Sequence, residues 1–259
     1  MTAPRIYKTT GIVLRQRRLG EADKIITLFT PNLGKLDAVA KGVRRPKSKL
    51  AGHVEPLTYT TFMLAKGRDL DIVTQAQMLD ASLPLREDLE RTGRALYVAE
   101  LVDRFTPERQ ENYPVFRLLL ETLRRLASEQ DLDIILRFFE MRLLDHLGYR
   151  PQLEACVNCG GALEPVTNAW SVEAGGVLCP ACARNAPLSH PLTVNALKMM
   201  RLLQKGDFAA VARVKTAPVL EAELERHLRE YLIYVLERDI RSAHFLDTLR
   251  RTGGVARQS

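Results

Sequence analysis

The amino-acid sequence predicts an α+β fold with two domains. Three observations lead to this fold class. Short segments rich in β-branched and aromatic residues fill the first 80 residues, apolar residues recur at helical spacing from Pro84 onward, and four cysteines interrupt the helical pattern in two close pairs. The chain has 259 residues, which is more than a single domain usually contains.

Five strands are predicted in the N-terminal third of the chain, at residues 9–19, 24–30, 35–41, 57–64 and 70–79. Turn-forming segments at residues 20–22, 31–34 and 66–68 separate them. In the third strand, Leu36 and Ala38 alternate with Lys35 and Asp37, as in a sheet with one buried face. Because no crossover helices fit between the strands, we expect a small closed barrel. A five-stranded OB-fold β-barrel is favoured, and an SH3-like barrel is the alternative.

The rest of the chain is predicted to be an α-helical domain. Helical spacing indicates three helices between Pro84 and Pro151, with breaks at Thr106-Pro107 and at residues 148–151. It returns at residues 194–204 and 219–249. We therefore predict an OB-fold domain at 1–80, a helical domain at 81–250 with a cysteine-containing insertion at about 152–190, and a flexible tail at 251–259.

The four cysteines have the spacing of a metal site. Cys156 and Cys159 form one C-x2-C pair, Cys179 and Cys182 form the other, and 19 residues lie between the pairs. This spacing is typical of a zinc ribbon. Four thiolates fill a tetrahedral shell and leave no position for water, so we predict one structural zinc per chain. The alternative is four reduced cysteines in a loop.

Positive charge is concentrated at the N-terminus. Residues 1–80 contain 14 Lys and Arg against 7 Asp and Glu, whereas residues 81–259 contain 24 of each. Such a field favours a polyanion, either nucleic acid or an anionic membrane surface, although a basic face can also serve solubility alone. The sequence contains no apolar run long enough for a membrane span, and its N-terminus does not resemble a secretory signal. We therefore expect a cytoplasmic protein.

Eight basic residues are candidates for DNA contact: Arg15, Lys24, Lys35, Lys41, Arg44, Arg45, Lys47 and Lys49. The last five lie in a segment that also contains glycine, proline and serine, so we expect a mobile cationic loop that follows a phosphate backbone. Phe29 and Phe62 could stack on bases, but their apolar strands indicate core positions.

No catalytic motif stands out in the sequence. It lacks a Gly-rich phosphate loop, an H-E-x-x-H pair and a nucleophile elbow, and its histidines are scattered singly. These features predict a protein that is not an enzyme.

Several motifs resemble those of a known family. They are Leu19-Gly-Glu-Ala-Asp-Lys-Ile-Ile-Thr-Leu-Phe-Thr30, Gly34-Lys35, Ala38-Val-Ala-Lys-Gly-Val-Arg-Arg-Pro-Lys-Ser48, Phe139-Glu-Met-Arg-Leu-Leu144, Leu147-Gly-Tyr149 with Pro151, and Cys156 through Gly160. In order and spacing, over about residues 5–245, the chain resembles the bacterial recombination mediator family RecO.

The resemblance implies an N-terminal OB domain, a helical domain and a zinc finger between helices. It implies binding of single- and double-stranded DNA, annealing of complementary strands, and RecA loading in RecF-pathway DNA repair. It further implies RecR and the tail of single-stranded-DNA-binding protein as partners, and a nucleoid-associated location. The family's basic positions fall on Lys35, Lys41, Arg44, Arg45 and Lys47, and its metal ligands on the four cysteines. A zinc-ribbon factor acting on RNA and a pure protein adaptor remain alternatives.

Overall fold

The computed structural model describes the backbone of residues 6–253 and the side chains of residues 6–236. The chain divides into two compact units, residues 1–139 and 140–259, and each is described by itself. The side chains of the predicted tail at 251–259 lie outside the described residues.

The first unit begins with a closed five-stranded barrel. Its strands are β1 (Ile6–Leu19), β2 (Asp23–Thr30), β3 (Gly34–Ala40), β4 (Tyr59–Ala65) and β5 (Asp71–Asp80). The strand order is β1-β2-β3-β5-β4, and pairing between β1 and β4 closes the barrel. The pairing is antiparallel except between β3 and β5, where Ala38 lies opposite Asp71 in parallel register. This is the topology of an OB fold, so the predicted barrel type is confirmed.

Alternation along the strands builds the barrel core. In β3, Leu36, Ala38 and Ala40 are buried, while the residues between them are partly exposed. Both phenylalanines predicted as core residues are fully buried. Phe62 belongs to the barrel core, whereas the ring of Phe29 lies 6.3 Å from that of Phe116 in a following helix.

Helices complete the first unit and begin the second. They are α1 (Leu83–Glu87), α2 (Leu89–Phe105), α3 (Tyr113–Ser128) and α4 (Leu132–His146), the last of which crosses the unit boundary. Asp88 caps α2 by accepting hydrogen bonds from the backbone N–H groups of Glu90 and Arg91. Helix α2 ends immediately before the predicted break at Thr106-Pro107. A 3-10 turn at Ala51–Val54 and the short α1 are elements that helical spacing did not predict.

The link between α2 and α3 packs closely on the turn between β2 and β3. The backbone N–H of Arg109 donates to the carbonyl of Lys35 at 2.7 Å. Gly34 has a φ of 64°, and a Cβ built at this position would lie 1.9 Å from the carbonyl oxygen of Gln110. Gly34 is therefore needed both for its backbone conformation and for the close approach of the link.

Replacing Gly34 with Ala should lower the free energy of unfolding by about 2 kcal/mol or more, because a left-handed alanine and a backbone clash add together. Urea unfolding of the full chain measures this. The matched control is Gly20→Ala, since Gly20 also has a positive φ but has open space around its Cβ position. The control should lose only about 1 kcal/mol. Equal losses in the two variants would contradict the close packing of the link.

The second unit combines a small sheet with helices. Its strands β6 (Asn168–Ser171), β7 (Gly176–Leu178) and β8 (His190–Leu192) pair in the order β7-β6-β8. Its helices after α4 are α5 (Pro180–Ala183), α6 (Val194–Lys205), α7 (Phe208–Ala212) and α8 (Pro218–Gly253). Trp170 on β6 is fully buried and its ring lies 5.4 Å from that of Tyr231 on α8. Within the described part of the chain, no helix combines the length and apolarity needed to cross a bilayer.

Candidate nucleic-acid interface and metal centre

The basic loop, Lys41–Lys49, is anchored to the barrel. Val43 at its start is only 3% exposed and packs in the barrel core. The backbone N–H of Gly42 donates to the Asp23 carboxylate at 2.7 Å, and that of Arg44 donates to the Ala22 carbonyl at 2.9 Å. The sequence predicted a mobile loop, but these contacts hold its first half against the turn between β1 and β2.

The cationic side chains of the basic loop are all exposed: Lys41, Arg44, Arg45, Lys47 and Lys49. Within the described part of the chain, none of the five forms an ion pair. The Arg44 guanidinium donates to the carbonyls of Gly20 and Glu21, at 3.3 and 2.7 Å. Arg44 thus keeps its charge at the surface in a fixed orientation, and the loop as a whole presents five cations to solvent.

The other three predicted DNA-binding residues have carboxylate partners. Arg15 Nε lies 2.6 Å from an oxygen of Asp103, and Lys35 Nζ lies 3.2 Å from the second oxygen of the same carboxylate. Lys24 Nζ lies 3.3 Å from an oxygen of Glu55. Carboxylates of the first unit therefore partly neutralise the charges of Arg15, Lys24 and Lys35.

Asp103 explains why Lys35 is less accessible to a ligand than the cations of the basic loop. It lies on α2, and its carboxylate draws Arg15 of β1 and Lys35 of β3 together under the helix. The side chain of Lys35 is only 12% exposed as a result. A phosphate would have to displace Asp103 to reach Lys35. The structure thus brings five of the eight predicted residues together in one loop. Lys24 lies beside this loop, opposite Ala40, whereas Arg15 and Lys35 pair with Asp103 of α2.

The four predicted metal ligands converge on one point. The Sγ atoms of Cys156, Cys159, Cys179 and Cys182 all lie within 4.8 Å of one another, and those of Cys159 and Cys179 are 4.0 Å apart. Four sulfurs at about 2.3 Å from one tetrahedral zinc would be separated by about 3.8 Å. The cluster therefore has the size and composition that can hold a metal ion.

Local structure positions each cysteine pair. The first pair turns back at Gly160, which has a φ of 72°, and the Gly160 N–H donates to the Cys156 carbonyl at 2.9 Å. In the second pair, Cys179 follows β7 directly and occupies the position before the single turn of α5. The sheet of β6, β7 and β8 thus supports the insertion that the sequence predicted at about 152–190.

Backbone N–H groups favour the thiolate form of Cys156. Burial raises the pKa of this thiol, but hydrogen bonds from the backbones of Cys159, Cys179 and Asn158 outweigh burial and lower the pKa to about 6. The Asn158 side chain donates to Cys182 Sγ at 3.3 Å and lowers the pKa of that thiol, but the neighbouring cysteine sulfurs and burial outweigh this bond and raise the pKa of Cys182 to about 11. Donors around the sulfurs are what a metal-binding thiolate cluster needs, since thiolates are the ligand form.

Comparison with known proteins identifies the family. Residues 1–82 match the family model for the recombination protein O N terminal region, and residues 86–244 match that for its C terminal region. DNA repair protein RecO of Roseiflexus sp. is 47% identical over 247 residues, which cover 95% of this chain and 87% of that protein. DNA repair protein RecO of Dehalococcoides mccartyi (strain CBDB1) is 39% identical over 250 residues, or 96% of this chain and 98% of that protein. The chain therefore belongs to the recombination protein O family.

Proposed function

We propose that this protein is a non-enzymatic DNA-binding mediator of recombinational repair. It binds single- and double-stranded DNA, anneals complementary strands and assists RecA loading in the RecF pathway. Membership of the recombination protein O family supports this proposal, because the relatives that match over nearly the whole chain are named DNA repair protein RecO.

One observation carries the DNA-binding part of the proposal. The basic loop presents five exposed cations beside an OB-fold barrel, a fold that commonly binds oligonucleotides. Because these cations form no ion pairs within the described part of the chain, they can release counterions from phosphates without first breaking a protein contact.

Annealing by such a surface requires no bond chemistry. Two DNA strands repel each other through their phosphates, and cations on the phosphates reduce that repulsion while the base edges stay free. Hydrogen bonds at Gly42 and Arg44 hold the backbone in the first half of the basic loop, so this part needs less ordering when DNA binds. Base pairing then supplies the sequence specificity.

We further propose that the four clustered cysteines bind one structural zinc. Four thiolates complete its coordination shell, so the ion would stabilise the second unit and take no part in contact with DNA. Zinc fits this donor set better than calcium or magnesium, which prefer oxygen ligands.

The partner proteins and the location are proposed from the family resemblance. RecR and the tail of single-stranded-DNA-binding protein are the proposed partners, and the cytoplasmic nucleoid is the proposed location.

Two experiments separate the alternative functions. Competition between RNA and DNA of the same sequence distinguishes an RNA-binding factor, and binding to bare DNA without any partner excludes a pure adaptor.

The full chain should accelerate annealing of two labelled complementary strands in the absence of nucleotide and added magnesium. Screening of phosphate repulsion needs neither, so addition of ATP should leave the rate unchanged. Fluorescence energy transfer between the labels measures the rate, and a non-complementary pair is the control. An absolute requirement for ATP would show that the mechanism is wrong.

A further inference from the structure

An acidic residue, Asp23, lies beside the basic loop. It follows the turn between β1 and β2 as the first residue of β2, and it is partly buried. Pairing of Lys24 with Ala40 ends the ladder between β2 and β3, so Asp23 lies where the chain leaves β3 for the basic loop. A carboxylate in this place repels phosphates, so charge alone would make Asp23 unfavourable for DNA binding.

The Asp23 carboxylate does not neutralise a lysine or an arginine. Within the described part of the chain it forms no ion pair, unlike Asp37, Glu55 and Asp103, each of which pairs with a basic side chain of the barrel. Its Oδ1 atom instead accepts the backbone N–H of Gly42 at 2.7 Å. Hydrogen bonds to a charged acceptor are shorter and stronger than those between neutral groups. The charge of Asp23 therefore holds the backbone of the basic loop.

Gly42 connects Asp23 to the rest of the basic loop. It has a φ of 63°, a conformation in which a residue with a side chain would be strained. Its N–H donates to Asp23, and its carbonyl accepts the N–H of Arg45 at 3.1 Å. The carbonyl of Arg45 in turn accepts the N–H of Ser48 at 3.0 Å. A chain of three hydrogen bonds thus runs from the Asp23 side chain into the second half of the loop.

The turn between β1 and β2 contains a second acid with different contacts. The carbonyl of Glu21 accepts a hydrogen bond from the Arg44 guanidinium at 2.7 Å, but this contact involves only the backbone of Glu21. The Glu21 side chain is exposed and has no hydrogen bond or ion pair within the described residues. Two carboxylates of equal charge therefore lie close together in sequence, and only the Asp23 side chain holds the basic loop.

We propose that Asp23 is a positioning residue for DNA binding. Its carboxylate fixes the basic loop in the free protein, so that Arg45 and Lys47 meet phosphates with less ordering of the backbone. This inference rests on the proposed DNA-binding function. Ordering of a free loop opposes binding through conformational entropy, and a bond that is already made in the free protein removes part of that cost. Asp23 thus strengthens DNA binding although its charge opposes it.

Replacing Asp23 with Ala in the full chain separates these two effects. The change removes one negative charge, so charge alone would raise DNA affinity. Loss of the bond to Gly42 should instead weaken binding of a strand of about 20 thymidines about fivefold at about 0.15 M salt. The five cations of the loop remain, so the salt slope should change by less than the value for one phosphate, about 0.7. Fluorescence anisotropy measures both quantities.

Two variants are the matched controls. Glu21→Ala makes the same charge change in the same turn, and it should bind DNA as tightly as the parent or up to about twofold more tightly. Asp23→Asn loses the charge but keeps a carbonyl oxygen that can accept the Gly42 N–H, so it should restore most of the affinity. An Asp23→Ala variant that binds as tightly as Glu21→Ala would overturn the positioning role. Equal losses in Asp23→Ala and Asp23→Asn would overturn it as well.

Binding kinetics separate positioning from a general loss of stability. In Asp23→Ala the association rate should stay within about twofold of the parent, because the cations that attract DNA remain, while the dissociation rate should rise about fivefold. A smaller folded fraction would lower the amplitude of binding without changing the dissociation rate. Stopped-flow fluorescence well below the melting temperature measures both rates, and an unchanged dissociation rate would contradict the proposal.

Amide hydrogen exchange of the parent tests the bond even if Asp23→Ala does not fold. The Gly42 N–H should exchange slowly before DNA is added, because it donates to Asp23 in the free protein. Exchange of this amide at the rate of an unprotected group would overturn the proposal.

The failure of the positioning role and that of the proposed function give different results. If only the positioning role fails, the parent binds bare DNA and Arg45→Gln with Lys47→Gln weakens binding, whereas Asp23→Ala does not. If the proposed function fails, the parent shows no salt-dependent binding to bare DNA.

Discussion

Replacing Arg45 and Lys47 with Glu should weaken binding to a strand of about 20 nucleotides by about a hundredfold at about 0.15 M salt. The change removes two phosphate contacts and adds two repulsive charges. The loss should be similar for all sequences, because phosphate contacts carry no base identity. Fluorescence anisotropy over a range of salt concentrations measures both the affinity and its salt dependence.

Substitutions at Arg45 and Lys47 change the charge of the basic loop without disturbing the folded structure. Both side chains are exposed, and neither has a side-chain hydrogen bond or ion pair within the described residues. Arg44 is avoided because its guanidinium also holds the β1–β2 turn through Gly20 and Glu21. The matched control is Arg213→Glu with Lys215→Glu, which has the same charge change and the same spacing at exposed positions of the second unit. If both variants lose the same affinity, the effect comes from net charge and the basic loop is not the DNA site.

Replacing Cys179 with Ala should lower the free energy of unfolding by at least about 3 kcal/mol, because a structural metal site contributes its binding energy to folding. The variant should also lose the one zinc per chain that elemental analysis is expected to find in the parent. DNA affinity measured well below the melting temperature should change little, since the basic loop belongs to the first unit.

A neighbouring substitution controls for disturbance of the cysteine turn. Ala181 is exposed between Cys179 and Cys182, so Ala181→Ser alters the same short helix and leaves all four sulfurs in place. This control should retain both the zinc and the parent melting temperature. A parent without bound metal, or a Cys179 variant as stable as the parent, would contradict a structural zinc.

Local sequence patterns were sufficient to predict the barrel. Each predicted strand lies within three residues of an observed one at either end, because alternation and turn residues are both local signals. Strands β6, β7 and β8 were not predicted. They contain three or four residues each, too few to show an alternating pattern, and pairing with one another defines them. The cysteine cluster was predictable because the two-residue spacing within each pair is typical of a turn that presents both sulfurs to one metal ion.

Ion pairs between distant residues were not predictable in the same way. Arg15 and Lys35 were predicted to contact DNA, but Asp103, far along the chain, pairs with both. The sequence shows a charge without showing its partner in the folded chain. The ion pair of Arg109 with Asp71 was unpredictable for the same reason, since the fold brings Arg109 to Asp71 from a link between helices. Only the folded structure shows which lysines and arginines pair with carboxylates and which do not.

The salt dependence of DNA binding by the full chain tests the central claim most directly. If the five cations of the basic loop neutralise five phosphates of a single strand, log affinity should fall against log salt with a slope of about −3.5. Binding to bare DNA with such a slope supports a DNA interface built from unpaired cations. No binding to bare DNA, or an affinity that does not change with salt, would contradict it.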